Sequence, residues 1–255
     1  MQQDNRRIQL IKYLLDEGGY RSDIPNDVYS QKRLLRALFN VRQPLPASKE
    51  FLLLQDEYLQ EELKRKGVTD IDSLTLIAPD IYVWQGDITA LRCDGIVNAA
   101  NSQLLGCFCP NHGCIDNAIH TFAGVQLRLE CAKLMQAQGY GEPTGQAKIT
   151  KAYNLPCKYV LHTVGPIVYG GLTKELEDEL ASCYLACLKL ADENSLQSLA
   201  FCCISTGEFH FPNERAAEIA IQTVKHYKQL TGSKIKIVFN VFKDKDYEIY
   251  TRLLG

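Results

Sequence analysis

From about residue 80 onward, short β-rich runs alternate with amphipathic stretches, and this restricts the fold more than any other feature of the chain. The runs are IYVWQG, DGIVNA, AKIT, KYVLHTV, SLAFCCIS and KIKIVFN. Helical-period segments lie between them near Asp116–Gln136, Lys174–Asp192 and Glu214–Leu230. Such alternation predicts an α/β sandwich around a mixed, mainly parallel sheet. Ligands of such sheets sit beyond the carboxyl ends of the strands, where loops lead into helices. Chemistry is therefore expected directly after each run.

Residues 1 to about 75 read differently, as helices. Ile8, Ile11, Leu14 and Leu15 recur at helical spacing after a cap at Asp4, and Gly18-Gly19 ends the run. Leu34, Leu35, Leu38 and Phe39 make a second apolar face, followed by Pro44 and Pro46. Lys49–Lys66 is a third helix, with Phe51, Leu54, Tyr58, Leu59 and Leu63 on its buried side. Packing against the next domain accounts for these stripes. The division expected is a helical extension over 1–75 and a main domain over 76–255.

The charge balance narrows the partners. With 28 basic and 30 acidic residues the net charge is −2, which gives no broad attraction to a nucleic-acid backbone, so none is expected. The sequence has no apolar run of membrane-spanning length, and no membrane is expected either. The first residues form a helix with acidic flanks and no cleavage site, which predicts a cytoplasmic protein. In that compartment the ten cysteines do not read as a disulfide framework. Cys93, Cys183, Cys187, Cys202 and Cys203 lie in apolar runs, where a free thiol behaves as a small hydrophobe.

Four strand-end loops carry polar chemistry. Gly86-Asp87-Ile88 offers a carboxylate to an exocyclic amine such as that of adenine, or else Asp87 caps a short helix. Asn98-Ala99-Ala100-Asn101 combines small residues with amides that donate to and accept from sugar hydroxyls, although asparagines also stabilise turns. The densest stretch is GCFCPNHGCIDN, where three thiols and one imidazole fall within eight residues. Cys107, His112 and Cys114 are the chosen ligands of a metal, with Cys109 as competitor and a redox or structural loop as the alternative. Three protein ligands leave a fourth position open, as catalytic zinc sites do. Asp116 then opens a helix whose free N–H groups favour phosphate. The last loop, Ser205-Thr206-Gly207-Glu208-Phe209, lets consecutive amides converge on an anion.

Taken in order, GDI, NAAN, the glycine-bearing loop into IDNAIH, TGQA, YNLP, LHTVGP and STGEF resemble the macrodomain family over residues 76–255. The resemblance implies a three-layer α/β/α macrodomain that binds ADP-ribose. One departure stands out: a Cys/His loop replaces the usual polyglycine stretch. In this, and in the extension with LLRALFNVRQP, the chain is similar to a zinc-containing bacterial subfamily of protein-ADP-ribose hydrolases. That likeness implies Zn2+ on Cys107, His112 and Cys114. It also implies Asp87 and Ile88 at the adenine and Asn101 at the distal ribose. Cys114, Ile115, Asp116 and Asn117 would wrap the ribose and pyrophosphate, with Ser205, Thr206, Gly207, Glu208 and Phe209 cradling phosphate opposite. Asn98 would support the loop, and Phe242 would pack near adenine.

The expected reaction is removal of mono-ADP-ribose from a protein side chain, with Asn101 and Asp116 as the catalytic pair. Asn101 aligns the ribose, and Asp116 orients water or acts as base. The subfamily resemblance implies reversal of a sirtuin-like ADP-ribosyltransferase acting on a lipoyl carrier like the glycine-cleavage H protein. Two other readings use the same pocket: a non-catalytic ADP-ribose reader, and a hydrolase of small ADP-ribose derivatives. His120, His162 and His226 read as satisfied structural or surface histidines without a role.

Overall fold

The computed structural model describes residues 2–255. Three helices open the chain: α1 (Gln3–Gly18), α2 (Val28–Val41) and α3 (Lys49–Lys66). Helix α1 starts one turn earlier than expected, capped by Gln2, and Gly19 closes it in the left-handed conformation. Asp4 is thus not the cap. It lies in the first turn, where its carboxylate meets Arg7 at 2.9 Å. The apolar stripes converge as expected, with Leu10, Ile11, Leu14, Leu35, Leu38, Phe39, Phe51, Tyr58 and Leu59 forming one small core. Val125 of the main domain joins that core, so the extension is docked on the rest of the protein.

The strands are β1 (Thr69–Asp70), β2 (Leu76–Ala78), β3 (Ile81–Gln85), β4 (Leu91–Arg92), β5 (Gly95–Ala100), β6 (Ala147–Lys151), β7 (Tyr159–Val164), β8 (Ser198–Phe201) and β9 (Lys236–Val241). Seven of them form a sheet in the order β2-β3-β9-β8-β5-β7-β6. The five inner strands are mutually parallel, and the two edge strands run antiparallel to their neighbours. Strands covered on both faces need apolar residues throughout. Accordingly β8 is buried at every position and β7 and β9 at all but their first, while the edge strand β2 is partly exposed. Strand β1 pairs with β4, and Ile71 enters the main core, so contacts of the main domain begin at Thr69, ahead of the expected boundary.

Five helices complete the domain: α4 (Ile115–Ala123), α5 (Val125–Gln138), α6 (Lys174–Glu193), α7 (Asn213–Thr231) and α8 (Asp244–Leu254). The segment read as one helix over Asp116–Gln136 is two. Gly124 interrupts it at φ +95°, a conformation open to glycine and strained for other residues. The last helix carries no glycine or proline punctuation at its start and was missed in the sequence. Among the described residues, all ten cysteines are free, as expected without a disulfide framework.

Candidate active site

Because β3, β9, β8, β5 and β7 share one direction, the turns after Gln85, Val241, Phe201, Ala100 and Val164 open along the same edge of the sheet. This gathers the four loops expected to carry chemistry. The Cys/His loop and the Ser205–Phe209 loop meet directly, with His112 Nε2 3.6 Å from Glu208 Oε1. Phe242 also follows a strand at this edge and is 76% exposed.

Donor geometry separates the competing thiols. The ligand atoms of Cys107, His112 and Cys114 all lie within 4.8 Å of one another, whereas Cys109 is exposed and outside the group. Cys107 Sγ is 3.6 Å from His112 Nδ1. A tetrahedral ion with ordinary Zn–S and Zn–N bonds separates sulfur from nitrogen by roughly 3.6 Å, so this edge suits one. All three residues are half-buried, which leaves a side open to solvent. Burial pushes the Cys114 thiol up to about 12, with the Cys107 sulfur adding to the effect. Bare protein therefore holds that sulfur protonated, and a cation is what would ionise it.

A second trio, His120, Cys131 and His162, is equally close but fully buried. Its hydrogen bonds argue against a metal. Asn98 Nδ2 donates to Asp116 Oδ1 at 2.8 Å and faces His162 Nδ1 at 3.2 Å. An amide nitrogen only donates, so Nδ1 accepts, and the proton of the neutral ring sits on Nε2, facing Thr150 Oγ1 at 2.9 Å. That nitrogen is not a free ligand. His162 is satisfied as expected, but His120 makes no hydrogen bond at either ring nitrogen, its Nε2 lying 3.5 Å from Asp116 Oδ1.

Asp116 lies in the first turn of α4, 5% exposed, beneath the cleft. One oxygen is held by Asn98, and the other is 3.4 Å from Asn101 Nδ2. Burial raises its pKa to about 6, against the lowering effects of Asn98 and Arg128. Asn101 also donates to Gly106 O at 3.2 Å and accepts from Gln103 N at 3.0 Å, so its amide sets the loop as well as facing the cleft. Asp87 caps a 3-10 turn over Ile88–Ala90 and pairs with Lys66. Burial acts to raise its pKa, but Lys66 and Thr89 prevail and hold it below the ordinary carboxylate value. Ile88 is 1% exposed.

Both loops expected to hold phosphate carry backbone amides without acceptors. Cys114 caps α4, its sulfur accepting from Asn117 N at 3.4 Å. The amides of Ile115 and Asp116 remain free within the first turn, as at any helix start. In the opposite loop, Ser205 is buried at φ +63°, and its carbonyl accepts from Phe211 N at 2.9 Å. The amides of Gly207, Glu208 and Phe209 have no acceptor among the described residues. Gly165 is required beneath: a Cβ there would stand 2.1 Å from Ser205 Oγ.

Sequence reasoning missed the contribution of the extension. From α2, Arg36 Nη2 donates to Asn117 Oδ1 at 2.8 Å and to His112 O at 3.0 Å. Asn40 Oδ1 accepts from Asn111 N at 2.9 Å. Lys66, the last residue of α3, reaches both Asp87 and Thr89. Their only signal in the sequence was a polar residue within a helix otherwise explained by packing.

The strand order, with crossovers bringing five parallel strand ends to one edge, defines an α/β ligand-binding domain whose cleft combines free amides, amide side chains and a thiol–imidazole trio. Residues 97–220 match the family model of the macro domain. The chain is 56% identical to a protein-ADP-ribose hydrolase of Treponema medium over the whole of both chains. It is 55% identical to a protein-ADP-ribose hydrolase of Staphylococcus aureus, over 89% of this chain and 86% of the other. Among solved structures, a Trypanosoma brucei macrodomain in complex with ADP-ribose superposes with a TM-score of 0.67 at 31% identity, covering 86% of this chain and 95% of that one. An Oceanobacillus iheyensis macrodomain variant with ADPR superposes with a TM-score of 0.63 at 36% identity, covering 71% and 95%. The chain belongs to the macrodomain family, and the expected fold is the observed one.

Proposed function

We propose that this protein is a zinc-dependent hydrolase that removes mono-ADP-ribose from a modified protein side chain. The observation that carries this reading is the half-buried Cys107–His112–Cys114 trio at the mouth of a cleft lined by free amides. Identity above one half to proteins named protein-ADP-ribose hydrolase supports it. The first turn of α4 and residues 205–209 grip the diphosphate from two sides. Asp87 and Ile88 receive the adenine and Asn101 the distal ribose, while the buried Asn117 amide is spent on holding the loop. Cys107, His112 and Cys114 would hold the zinc, which would supply Lewis-acid polarisation of a substrate oxygen when bound. Asn101 aligns that ribose. Asp116 keeps Asn101 and Asn98 in position and accepts a proton as the bond to the acceptor is hydrolysed.

The open side of the trio favours a protein acceptor over a small derivative, since a side chain on a larger surface needs lateral access. The resemblance of loop and extension to the sirtuin-linked subfamily supports a lipoyl-carrier substrate and a sirtuin-like transferase as the opposing enzyme. Ten free cysteines fit a reducing cytoplasm.

The test is release of ADP-ribose from a mono-ADP-ribosylated carrier protein, with bound zinc quantified in the parent and in Cys114→Ala. Turnover by the parent, lost with the zinc in the variant by at least about 100-fold, is the expected result. Tight ADP-ribose binding without release from several modified proteins makes the chain a reader instead.

A further inference from the structure

The loop carrying the trio is not built to hold its own shape. Leu104 (φ +55°) and Asn111 (φ +56°) both adopt the left-handed conformation, as does Gly106. Non-glycine residues stay there only where their surroundings determine it. Leu104 is held by burial in the main core, and the surroundings of Asn111 come from α2. Asn40 accepts the Asn111 amide at 2.9 Å, and its own amide donates to Thr121 Oγ1 at 2.9 Å. Arg36 spans the remainder. Its Nε and Nη2 donate to Asn117 Oδ1 at 3.2 and 2.8 Å, and Nη2 also donates to the carbonyl of His112 at 3.0 Å. With its carbonyl fixed in this way, Asn117 directs Nδ2 to the carbonyls of Cys109 at 3.0 Å and Cys107 at 3.4 Å. One guanidinium thus fixes the backbone at His112 directly and at Cys107 through a single, fully buried amide.

We infer that Arg36 is a positioning residue for the Cys107–His112–Cys114 trio, so that the N-terminal extension tunes metal affinity. The inference rests on the metal reading of that trio. It differs from a packing role because Arg36 binds the backbone of one ligand residue, His112, across 76 positions of sequence and reaches that of a second, Cys107, through Asn117. Lysine replaces it only in part: a point ammonium lacks the planar fork that meets two acceptors at fixed angles.

The experiment uses the full chain as parent, Arg36→Ala and Arg36→Lys. Zinc affinity is measured by competition with a chromogenic chelator, and the trio's geometry by the visible absorption of Co2+-loaded protein. Thermal midpoints are taken with and without zinc. Outer-sphere partners of metal ligands set affinity by about 10–100-fold, so zinc binding is expected to weaken by that factor in Arg36→Ala and by less in Arg36→Lys. The Co2+ spectrum shifts, and the rise in midpoint on adding zinc shrinks. Affinities within about twofold of the parent in both variants, against that factor, overturn the assignment. So does an equal drop of the metal-free and loaded midpoints with the gap between them intact, the signature of a structural role. A parent chain that takes up no zinc overturns the metal reading itself, and is told apart because it is seen before any substitution.

Discussion

His162 sits where its charged form is excluded. Burial lowers its pKa to about 3, and the ring is already committed to Asn98 and Thr150. His120, beside it, is lowered by the same burial and by the neighbouring ring. The unfolded chain takes up a proton at each ring near the ordinary value of 6.5, while the folded chain refuses it until far lower pH. Stability from these two groups is therefore complete above about pH 6.5 and lost as pH falls, by up to about 1.4 kcal/mol per pH unit for each ring. Asp116 opposes this, since its raised pKa near 6 lets the folded state bind a proton first. Two rings against one carboxylate predict a thermal midpoint that falls between pH 7 and pH 5, with a shallower fall in His162→Gln. A midpoint that rises on acidification contradicts the buried neutral rings. At this scale the polar residues to watch were legible, since Asp116, Asn98 and the trio lie in short motifs. The orphaned nitrogens of His120 were not, because only the fold decides what surrounds a ring.

Between helices α4 and α5 the chain depends on a single residue. Gly124 has φ +95° and ψ 172°, and a Cβ there would lie 2.6 Å from Gln55 Nε2. Gln55 cannot easily yield, because it is buried and its Oε1 accepts the first amide of α5 at 2.9 Å. Gly124→Ala is expected to cost about 2–3 kcal/mol through backbone strain and this contact. A lowered urea midpoint with an unchanged slope is the measurement, and a midpoint equal to the parent's would mean that the break is not required. The apolar periodicity runs on through residue 124, which is why the sequence reads as one helix. The break comes from the need to turn α5 toward the extension, a tertiary demand with no local signature beyond the glycine.

Over the whole molecule, the extension and the macrodomain are bound by a buried cation. Arg128 on α5 is 5% exposed and donates to the carbonyls of Phe39, Asn40 and Arg42, in the last turn and C-cap of α2. On its other side it donates to Leu105 O at 2.7 Å and covers the Phe108 ring at 4.3 Å, both in the Cys/His loop. Removing residues 2–66 strips three acceptors from this guanidinium and exposes the face of Val125. Loss of a buried charge's partners costs about 3–5 kcal/mol, and a domain of this size loses about 2–4 °C per kcal/mol. The truncated chain is expected to melt about 6–20 °C lower by calorimetry. An unchanged midpoint would make the extension an independent appendage.

The amino-acid sequence alone determined the class of fold, because burial on both faces of parallel strands requires apolar runs, and crossovers require amphipathic segments between them. It also determined the inventory of the candidate site, since the thiols, imidazole, amides and loop glycines each lie in a loop that follows a strand. Which thiols converge was left for the tertiary structure to decide, as was how deeply Asp116 is buried and that α2 braces the loop from 76 residues away. Those features depend on distances between segments far apart in the chain. Such distances are set by packing over the whole core, which no local pattern encodes.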